Sequence, residues 1–128
     1  ELLTDQGRRQ ILVQRFVEEG LAGDKRLLLV DGEIRGAIAR IPKAGDHRAN
    51  LCAGGRLEPC GITETDRHIA QTLAPRLRAD GLFFVGLDVI GDKLIEVNVT
   101  SPSLVRHVLR FGGADIATEV ILSVEKTA

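Results

Sequence analysis

The chain has 128 residues and a formal net charge of −1, and its aromatic residues are four phenylalanines. This length is sufficient for a hydrophobic core, so we predict a single domain over residues 1–128. The near-neutral charge and the few aromatic rings argue against nucleic-acid or anionic-membrane binding. No apolar run approaches the roughly 18 residues of a membrane span, and no signal-peptide pattern is found. We therefore expect a soluble, cytoplasmic protein.

Two features of the chain bear on its origin and its redox chemistry. It begins at Glu1 without an initiator methionine, which predicts a fragment of a longer protein. Cys52 and Cys60 lie eight positions apart and form no C-x-x-C pair, so the spacing does not indicate zinc. Free thiols in a reducing compartment are the simple expectation, and a disulfide is the alternative.

The first half of the chain predicts three strands. Residues 1–9 are interpreted as the end of a helix that stops near Gly7, and "ILVQRFV" (11–17) has the β-branched composition of a strand. "KRLLLV" (25–30) and "EIRGAIARI" (33–41) flank an Asp-Gly pair, which predicts a hairpin with a type I′ turn. Residues 42–61 have no periodicity. We expect a functional or disordered loop there, poorly fixed over about residues 43–57.

The second half predicts a helix, a hairpin and two further helices. "TETD" (63–66) matches a capping box, and apolar residues at helical spacing follow until Gly81, with Pro75 as a potential kink. A hairpin over residues 86–102 comes next, and residues 103–111 and 114–126 have helical patterns. This order predicts the α+β class, an antiparallel β-sheet with helices packed on one face.

The second hairpin carries three polar residues among Leu, Val and Ile. Strand alternation places Glu96 and Asn98 on one face, and the register decides whether Asp88 joins them. A two-residue loop would pair Asp88 with Ile95. A three-residue loop over residues 91–93 pairs it with Glu96 and keeps the other face apolar, so we predict the three-residue loop.

A cluster of two carboxylates and an amide allows two interpretations. Adjacent carboxylates repel each other and require a cation, a shared proton or full solvation. Oxygen ligands without sulfur or imidazole suit a hard ion such as Mg²⁺. The alternative is a solvated outer face of an ordinary antiparallel sheet.

Two longer motifs carry a family resemblance. "VGLDVIGDKLIEVNVTSPS" resembles the last metal-binding hairpin of prokaryotic glutathione synthetases, which are ATP-grasp ligases. "GDKRLLLVDGEIRGAIARIPKAGDHRANLCAGGR" resembles the upstream region of the same family, with its motifs in the same order. The similarity extends from about Ile11 to at least Arg106. It implies that the chain is the C-terminal lobe of an ATP-grasp fold, without the substrate domain and the ATP-grasp lobe that precede it.

The resemblance also implies an activity. The family uses ATP to phosphorylate the terminal carboxylate of γ-glutamylcysteine, and the amine of glycine then attacks the acyl phosphate. Mg²⁺ (or Mn²⁺) escorts the phosphates of ATP. We expect these small molecules as substrates and no nucleic-acid or membrane partner. A homo-oligomer of the full-length protein is a further hypothesis. Because the preceding lobe is absent, we expect the fragment alone to be inactive.

Site residues follow from the resemblance position by position. Arg26 and Arg40 correspond to arginines of the reaction centre. The other positions fall into a metal group, a nucleotide group and a group of mobile-loop and peptide-substrate residues. The metal group is Asp88, Glu96 and Asn98; the nucleotide group is Gln14, Arg15, Phe16, Val17 and Asp24; the third group is Arg48, Asn50, Gly54, Gly55, Ser101 and Ser103.

Less specific interpretations stay open. Arg26 and Arg40 are also compatible with ordinary surface charges on alternating strands, and Gly54 and Gly55 with a simple turn. Two functional alternatives are another ATP-grasp carboxylate–amine ligase, such as one that adds glutamate, and a non-catalytic nucleotide- or metal-binding module.

Overall fold

Five strands form one antiparallel sheet in a computed structural model that describes residues 3–43 and 54–127. The elements, after a 3-10 helix at Glu18–Ala22, are β1 (Asp24–Val30), β2 (Glu33–Ile41), β3 (Arg56–Pro59), α1 (Glu64–Ala79), β4 (Phe84–Ile90), β5 (Lys93–Asn98), α2 (Val105–Arg110) and α3 (Ile116–Thr127). The strand order is β3-β2-β1-β4-β5, and every neighbouring pair is antiparallel. The predicted α+β class with an antiparallel sheet is confirmed.

Helices cover both faces of this sheet, rather than the one face predicted. Leu27 and Leu29 of β1 pack in a cluster with Ala70 and Leu77 of α1. On the opposite face, the β1 residues Leu28 and Val30 pack with Val108 of α2 and Ile116 of α3. The physical reason is the continuous apolar run in β1, because alternate side chains of a strand point to opposite faces and each set requires its own cover.

Both hairpins combine a two-residue turn with a β-bulge. In the first hairpin, Asp31 and Gly32 have φ angles of +49° and +75°, as the predicted Asp-Gly turn requires. The pairing shifts by one residue between Leu28 and Leu29, which leaves Arg35 as the extra residue of β2. A bulge adds a residue to one strand and changes the pairing of every residue beyond it.

The second hairpin reaches the predicted register by a different route. Ile90 pairs with Lys93, so the loop has two residues and not the three predicted. A bulge at Ile95 then restores the pairing of Asp88 with Glu96. The predicted pairing is therefore confirmed and the predicted loop length is wrong. A turn and a bulge together displace the register by as much as a longer loop does.

The helix predicted after the long loop is confirmed with its cap. The Thr63 hydroxyl accepts the backbone N–H of Asp66 at 3.2 Å, and the Asp66 carboxylate accepts the N–H of Thr63 at 2.7 Å. Helix α1 continues through Pro75 to Ala79, and Gly81 follows it with a φ of +70°. No helix in the described ranges has the length and apolar character needed to cross a bilayer.

Several local predictions differ from the structure. Residues 3–9 form turns rather than a helix end, and residues 11–17 form no strand. A strand requires backbone partners on a neighbouring strand, which composition does not report. The short strand β3 was missed, because four residues with exposed ends carry little alternation. Finally, α2 begins at Val105, after Leu104 with a φ of +81°, and α3 begins at Ile116.

Candidate functional site

Cross-strand pairing brings two arginines and two aspartates together on the sheet. Arg26 of β1 lies opposite Asp88 of β4, and Asp24 of β1 lies opposite Arg40 of β2. Arg26 alternates with Leu27, so its side chain projects from the same sheet face as Leu28, which α2 and α3 cover further along the strand. On this face, one end of strands β1, β2 and β4 therefore carries charged side chains, and the remainder carries the apolar side chains that pack against α2 and α3.

These four side chains form a continuous chain of ion pairs, most of them charge-assisted hydrogen bonds. The Arg26 Nε donates to Asp88 Oδ1, and its Nη2 donates to Asp88 Oδ2 at 2.9 Å. The Arg40 Nη2 lies 2.8 Å from Asp88 Oδ2, and its Nε donates to Asp24 Oδ1 at 2.5 Å. The order of the network is Asp24, Arg40, Asp88, Arg26. A guanidinium that makes two such bonds is fixed in both position and plane.

Burial makes these pairs different from ordinary surface salt bridges. The side chains of Arg26 and Asp88 are 7% and 6% exposed, and those of Arg40 and Asp24 are 12% and 19% exposed. Burial by itself would raise the pKa of the Asp88 carboxyl, but hydrogen bonds and charges from Arg26 and Arg40 outweigh it and hold that pKa below its ordinary value. Burial opposes the charged form of Arg40 as well, but Asp24 and Asp88 raise its pKa. Both shifts favour the charged forms of Asp88 and Arg40 at neutral pH.

The network leaves both arginines able to bind an anion. A guanidinium has five N–H donors. Contacts within the described residues engage two donors of Arg26 and two of Arg40, so three remain on each. Two positively charged forks that present unused donors side by side suit phosphate and carboxylate oxygens.

Glu96 and Asn98 lie beside this network on the edge strand β5. Glu96 pairs with Asp88 and is exposed, and Asn98 pairs with Gly86. The Asn98 Nδ2 lies 3.5 Å from Asp88 Oδ2 and 3.5 Å from the carbonyl oxygen of Gly86. The predicted cluster of Asp88, Glu96 and Asn98 is thus brought together, although the Asp88 carboxylate is directed to arginines.

The chemistry of this donor set fits a hard divalent cation. Mg²⁺ binds through one or two carboxylates and completes its shell with water and phosphate oxygens. Glu96 supplies an exposed carboxylate and Asn98 an amide oxygen, while Asp88 Oδ1 has one hydrogen-bond donor in the described residues. No group of three His, Cys, Asp or Glu side chains in those residues is arranged to hold a metal. A site here therefore depends on the asparagine, and the metal role stays a prediction.

A groove runs between residues 14–17 and the β4–β5 hairpin. Two adjoining cavities of about 770 and 370 Å³ are lined by residues 14–17 together with Ile95. The smaller cavity also contacts Ile90 and Asp24. Apolar walls from Phe16, Ile90 and Ile95, with a few polar groups, suit a flat heterocyclic ring. The predicted nucleotide residues Gln14, Arg15, Phe16, Val17 and Asp24 therefore lie along one groove.

The remaining predicted residues have separate positions. Arg48 and Asn50 of the predicted mobile loop, like Cys52, lie outside the described residues. Gly54 has a φ of +86° and is exposed, and Gly55 follows it directly before β3. Ser101 and Ser103 are both exposed. Within the described residues, no hydrogen bond or ion pair joins any of these four residues to Arg26.

Two features of the site were missed in the sequence. Pro102 packs over Gly86 beside Arg26: a Cβ on Gly86 would lie 2.9 Å from the Pro102 Cβ and 3.1 Å from the Arg26 Cδ. The pairing of Asp24 with Arg40 was also missed. The Asp-Gly turn alone would pair Asp24 with Ala39, and only the bulge at Arg35 shifts the partner to Arg40. Neither packing nor a bulge of this kind leaves a local sequence signal.

Cys60 is a free, half-buried thiol. Burial raises its pKa, with Lys25 opposing that rise. A raised pKa leaves little thiolate at neutral pH, so a nucleophilic role is disfavoured, in agreement with the sequence-based expectation of a free thiol.

Comparison with known proteins identifies the family. Residues 1–113 match the family model described as prokaryotic glutathione synthetase, ATP-grasp domain. The chain is 48% identical over 125 residues to the glutathione synthetase of Synechococcus elongatus, which is 98% of this chain and 39% of that protein. It is 53% identical over 121 residues to the glutathione synthetase of Prochlorococcus marinus, a match that covers 94% of this chain and 39% of that protein. For the glutathione synthetase of Vibrio cholerae, the identity is 53% over 109 residues, which cover 84% of this chain and 34% of that protein.

These matches cover nearly all of the chain but only part of its relatives. The chain spans about 39% of the length of the first two of these proteins. The matched region contains both hairpins, the arginine–aspartate network and the groove. The chain belongs to the prokaryotic glutathione synthetase ATP-grasp domain family.

Proposed function

We propose that this chain is the C-terminal ATP-grasp portion of a glutathione synthetase, which joins γ-glutamylcysteine to glycine at the expense of ATP. The observation that carries the proposal is the buried network of Arg26 and Arg40 around Asp88, next to an apolar groove. The groove supports the binding of an adenine ring, and the unused arginine donors support the binding of transferred phosphate. The relatives are named glutathione synthetase, which supports glutathione as the product, and the substrates are those that the family resemblance implies.

The proposed reaction has two steps. The terminal carboxylate of γ-glutamylcysteine attacks the γ-phosphorus of ATP, which forms an acyl phosphate and releases ADP. The glycine amine then attacks the acyl carbon, phosphate leaves with the bonding electrons, and the nitrogen loses a proton. In both steps negative charge develops on phosphoryl oxygens, and fixed guanidinium donors stabilise that charge without reorganisation.

Each predicted residue group has a role in this scheme. Arg26 and Arg40 hold the phosphoryl and carboxylate oxygens, residues 14–17 and Asp24 hold the nucleoside, and Asp88, Glu96 and Asn98 hold Mg²⁺ or Mn²⁺. When bound, the metal neutralises charge on the phosphates. We further propose that Arg48, Asn50, Gly54 and Gly55 exclude water from the acyl phosphate, and that Ser101 and Ser103 lie near the peptide substrate.

The test uses the full-length protein that contains this chain. We expect it to bind Mg²⁺–ADP and to form glutathione from γ-glutamylcysteine, glycine and ATP. Substitution of Arg40 by Lys should lower kcat about 100-fold, because a lysine cannot donate to two oxygens in one plane. The isolated 128 residues should form no product, because the residues that cover the phosphates in the family are expected elsewhere in the protein.

Two outcomes would replace this proposal by one of the alternatives. Ligation of glutamate but not glycine would indicate another ATP-grasp carboxylate–amine ligase. Binding of Mg²⁺–ADP without turnover of either amine would indicate a non-catalytic nucleotide-binding module. The proposed cytoplasmic location and homo-oligomeric state are tested separately, by fractionation and by light scattering of the full-length protein.

A further inference from the structure

We propose that Asp24 is a positioning residue that orients the Arg40 guanidinium for the transferred phosphate, and thereby links the nucleoside end of the groove to the reaction centre. This inference rests on the proposed function, because it assigns a role within the same site. The resemblance assigns Asp24 to the ribose alone. The contacts of its side chain indicate a second role that the ribose assignment does not contain.

Asp24 belongs to two parts of the site at once. It lines the smaller cavity together with Phe16 and Ile95. Its Oδ1 also accepts the Nε of Arg40 at 2.5 Å from the directly opposite position on β2. Cross-strand partners are held by the sheet itself, so this contact does not depend on a flexible loop.

Two anchors are needed to fix the plane of Arg40. An arginine has several rotatable bonds, and a single contact through Nη2 to Asp88 would leave the guanidinium free to rotate about it. The second contact, through Nε to Asp24, removes that freedom. The three donors that remain on Arg40 then have fixed directions. Arg26 has no such need of Asp24, because Asp88 binds it through both Nε and Nη2.

The geometry also separates the two roles of Asp24. The contact to Arg40 uses Oδ1, and no contact within the described residues uses Oδ2. A ribose hydroxyl can therefore donate to Oδ2 while Oδ1 keeps Arg40 in place. The side chain is 19% exposed, so it is accessible from the groove and still partly shielded from water.

The experiment is a double-mutant cycle in the full-length enzyme with the variants Asp24→Asn, Arg40→Lys and their combination. If Asp24 acts through Arg40, Asp24→Asn should lower kcat about 10- to 100-fold at saturating ATP, in addition to any loss of ADP affinity that comes from its ribose contact. In the Arg40→Lys background, the same substitution should change kcat by less than about two-fold. The matched control is Asp80→Asn, which breaks the exposed pair of Asp80 with Arg76 (2.6 Å) and should change neither quantity.

A spectroscopic measurement reads the orientation without turnover. In protein labelled with ¹⁵N-arginine, the Arg40 Nε–H should exchange slowly with water in the wild type and at least about ten-fold faster in Asp24→Asn, because it loses a charged acceptor. The Arg26 Nε–H, which donates to Asp88, should be unchanged. This control also shows whether the variant has kept its fold.

The outcomes are distinct. Independent, multiplicative effects of the two substitutions, or a loss of ADP affinity with unchanged kcat, would overturn the positioning role and leave a ribose contact. Unchanged exchange at Arg40 Nε would overturn it as well. An inactive wild type would contradict the proposed ligase function instead, and the exchange measurement would still decide whether Asp24 orients Arg40.

Discussion

Asp88 and Arg26 lie opposite each other on adjacent central strands, and both carboxylate oxygens of Asp88 accept N–H donors from the Arg26 guanidinium. Arg40 of β2 contacts the same carboxylate of β4 across the intervening strand β1. One buried negative charge thus holds one buried and one partly buried positive charge on the sheet. This arrangement makes the arginines ready for an anion, and it makes the protein dependent on a single carboxylate.

Substitution of Asp88 by Ala should strongly destabilise the protein. Removing one partner of a buried ion pair leaves an uncompensated charge, and here that charge is Arg26, while Arg40 keeps only its contact with Asp24. We expect a loss of about 3–5 kcal/mol in the free energy of unfolding. Urea denaturation of the full-length protein measures it. The control Asp92→Asn, on the exposed turn of the same hairpin, should stay within about 0.5 kcal/mol of the wild type. Equal effects of the two substitutions would contradict the importance of the buried network.

Gly86→Ala should disturb the site by crowding. The added Cβ would lie 2.9 Å from the Pro102 Cβ and 3.1 Å from the Arg26 Cδ, so either the segment that contains Pro102 or the Arg26 side chain must move. We expect a destabilisation of about 1–3 kcal/mol and a fall in kcat. Gly61→Ala is the matched control, because its Cβ would meet nothing within 4 Å. Normal stability and turnover of Gly86→Ala would show that Pro102 and Arg26 move freely.

Acid should destabilise the protein through Asp66 as well as Asp88. Burial would raise the pKa of the Asp66 carboxyl, but hydrogen bonds from Lys25 (2.6 Å) and Thr63 (2.7 Å) hold it below its ordinary value. A carboxyl whose pKa is lower in the folded than in the unfolded state stabilises the fold at pH values above its unfolded pKa of about 3.9. The reason is that, between the two pKa values, the unfolded state binds more protons than the folded state. This stability is lost as the pH falls below about 4.

Urea denaturation between about pH 3 and pH 7 tests this pH dependence. The wild type should lose stability at the acidic end, and Asp66→Asn should be less stable at neutral pH but vary less with pH, because it has no carboxyl to protonate. A variant with the same acid sensitivity as the wild type would exclude Asp66 as a source of it.

Glu96→Gln should weaken the proposed metal site without affecting the fold. Glu96 is exposed, so its substitution should change the free energy of unfolding by less than about 0.5 kcal/mol. An amide is a weaker ligand than a carboxylate, and we expect the Mg²⁺ concentration for half-maximal activity to rise at least about ten-fold. Asp92→Asn on the same hairpin should leave it unchanged. An unaltered Mg²⁺ requirement in Glu96→Gln would exclude Glu96 as a ligand.

Several elements could be predicted because their signals are local. The Asp-Gly turn requires positive φ angles that few residue pairs tolerate, and the Thr63–Asp66 capping box depends on residues three positions apart. The pairing of Asp88 with Glu96 was also correct, since only that register separates polar from apolar side chains. The strand predicted at 11–17 failed, because its composition cannot supply a neighbouring strand.

The amino-acid sequence by itself determined the hairpins, the capped helix and the family of this chain, because turn geometry, helix capping and motif order are properties of neighbouring residues. Only the tertiary structure decided that helices cover both sheet faces and that Asp24 faces Arg40. These facts depend on two bulges and on packing between distant segments. A single inserted residue moves every later pair by one position, and its location is set by the sum of many weak contacts rather than by any local pattern.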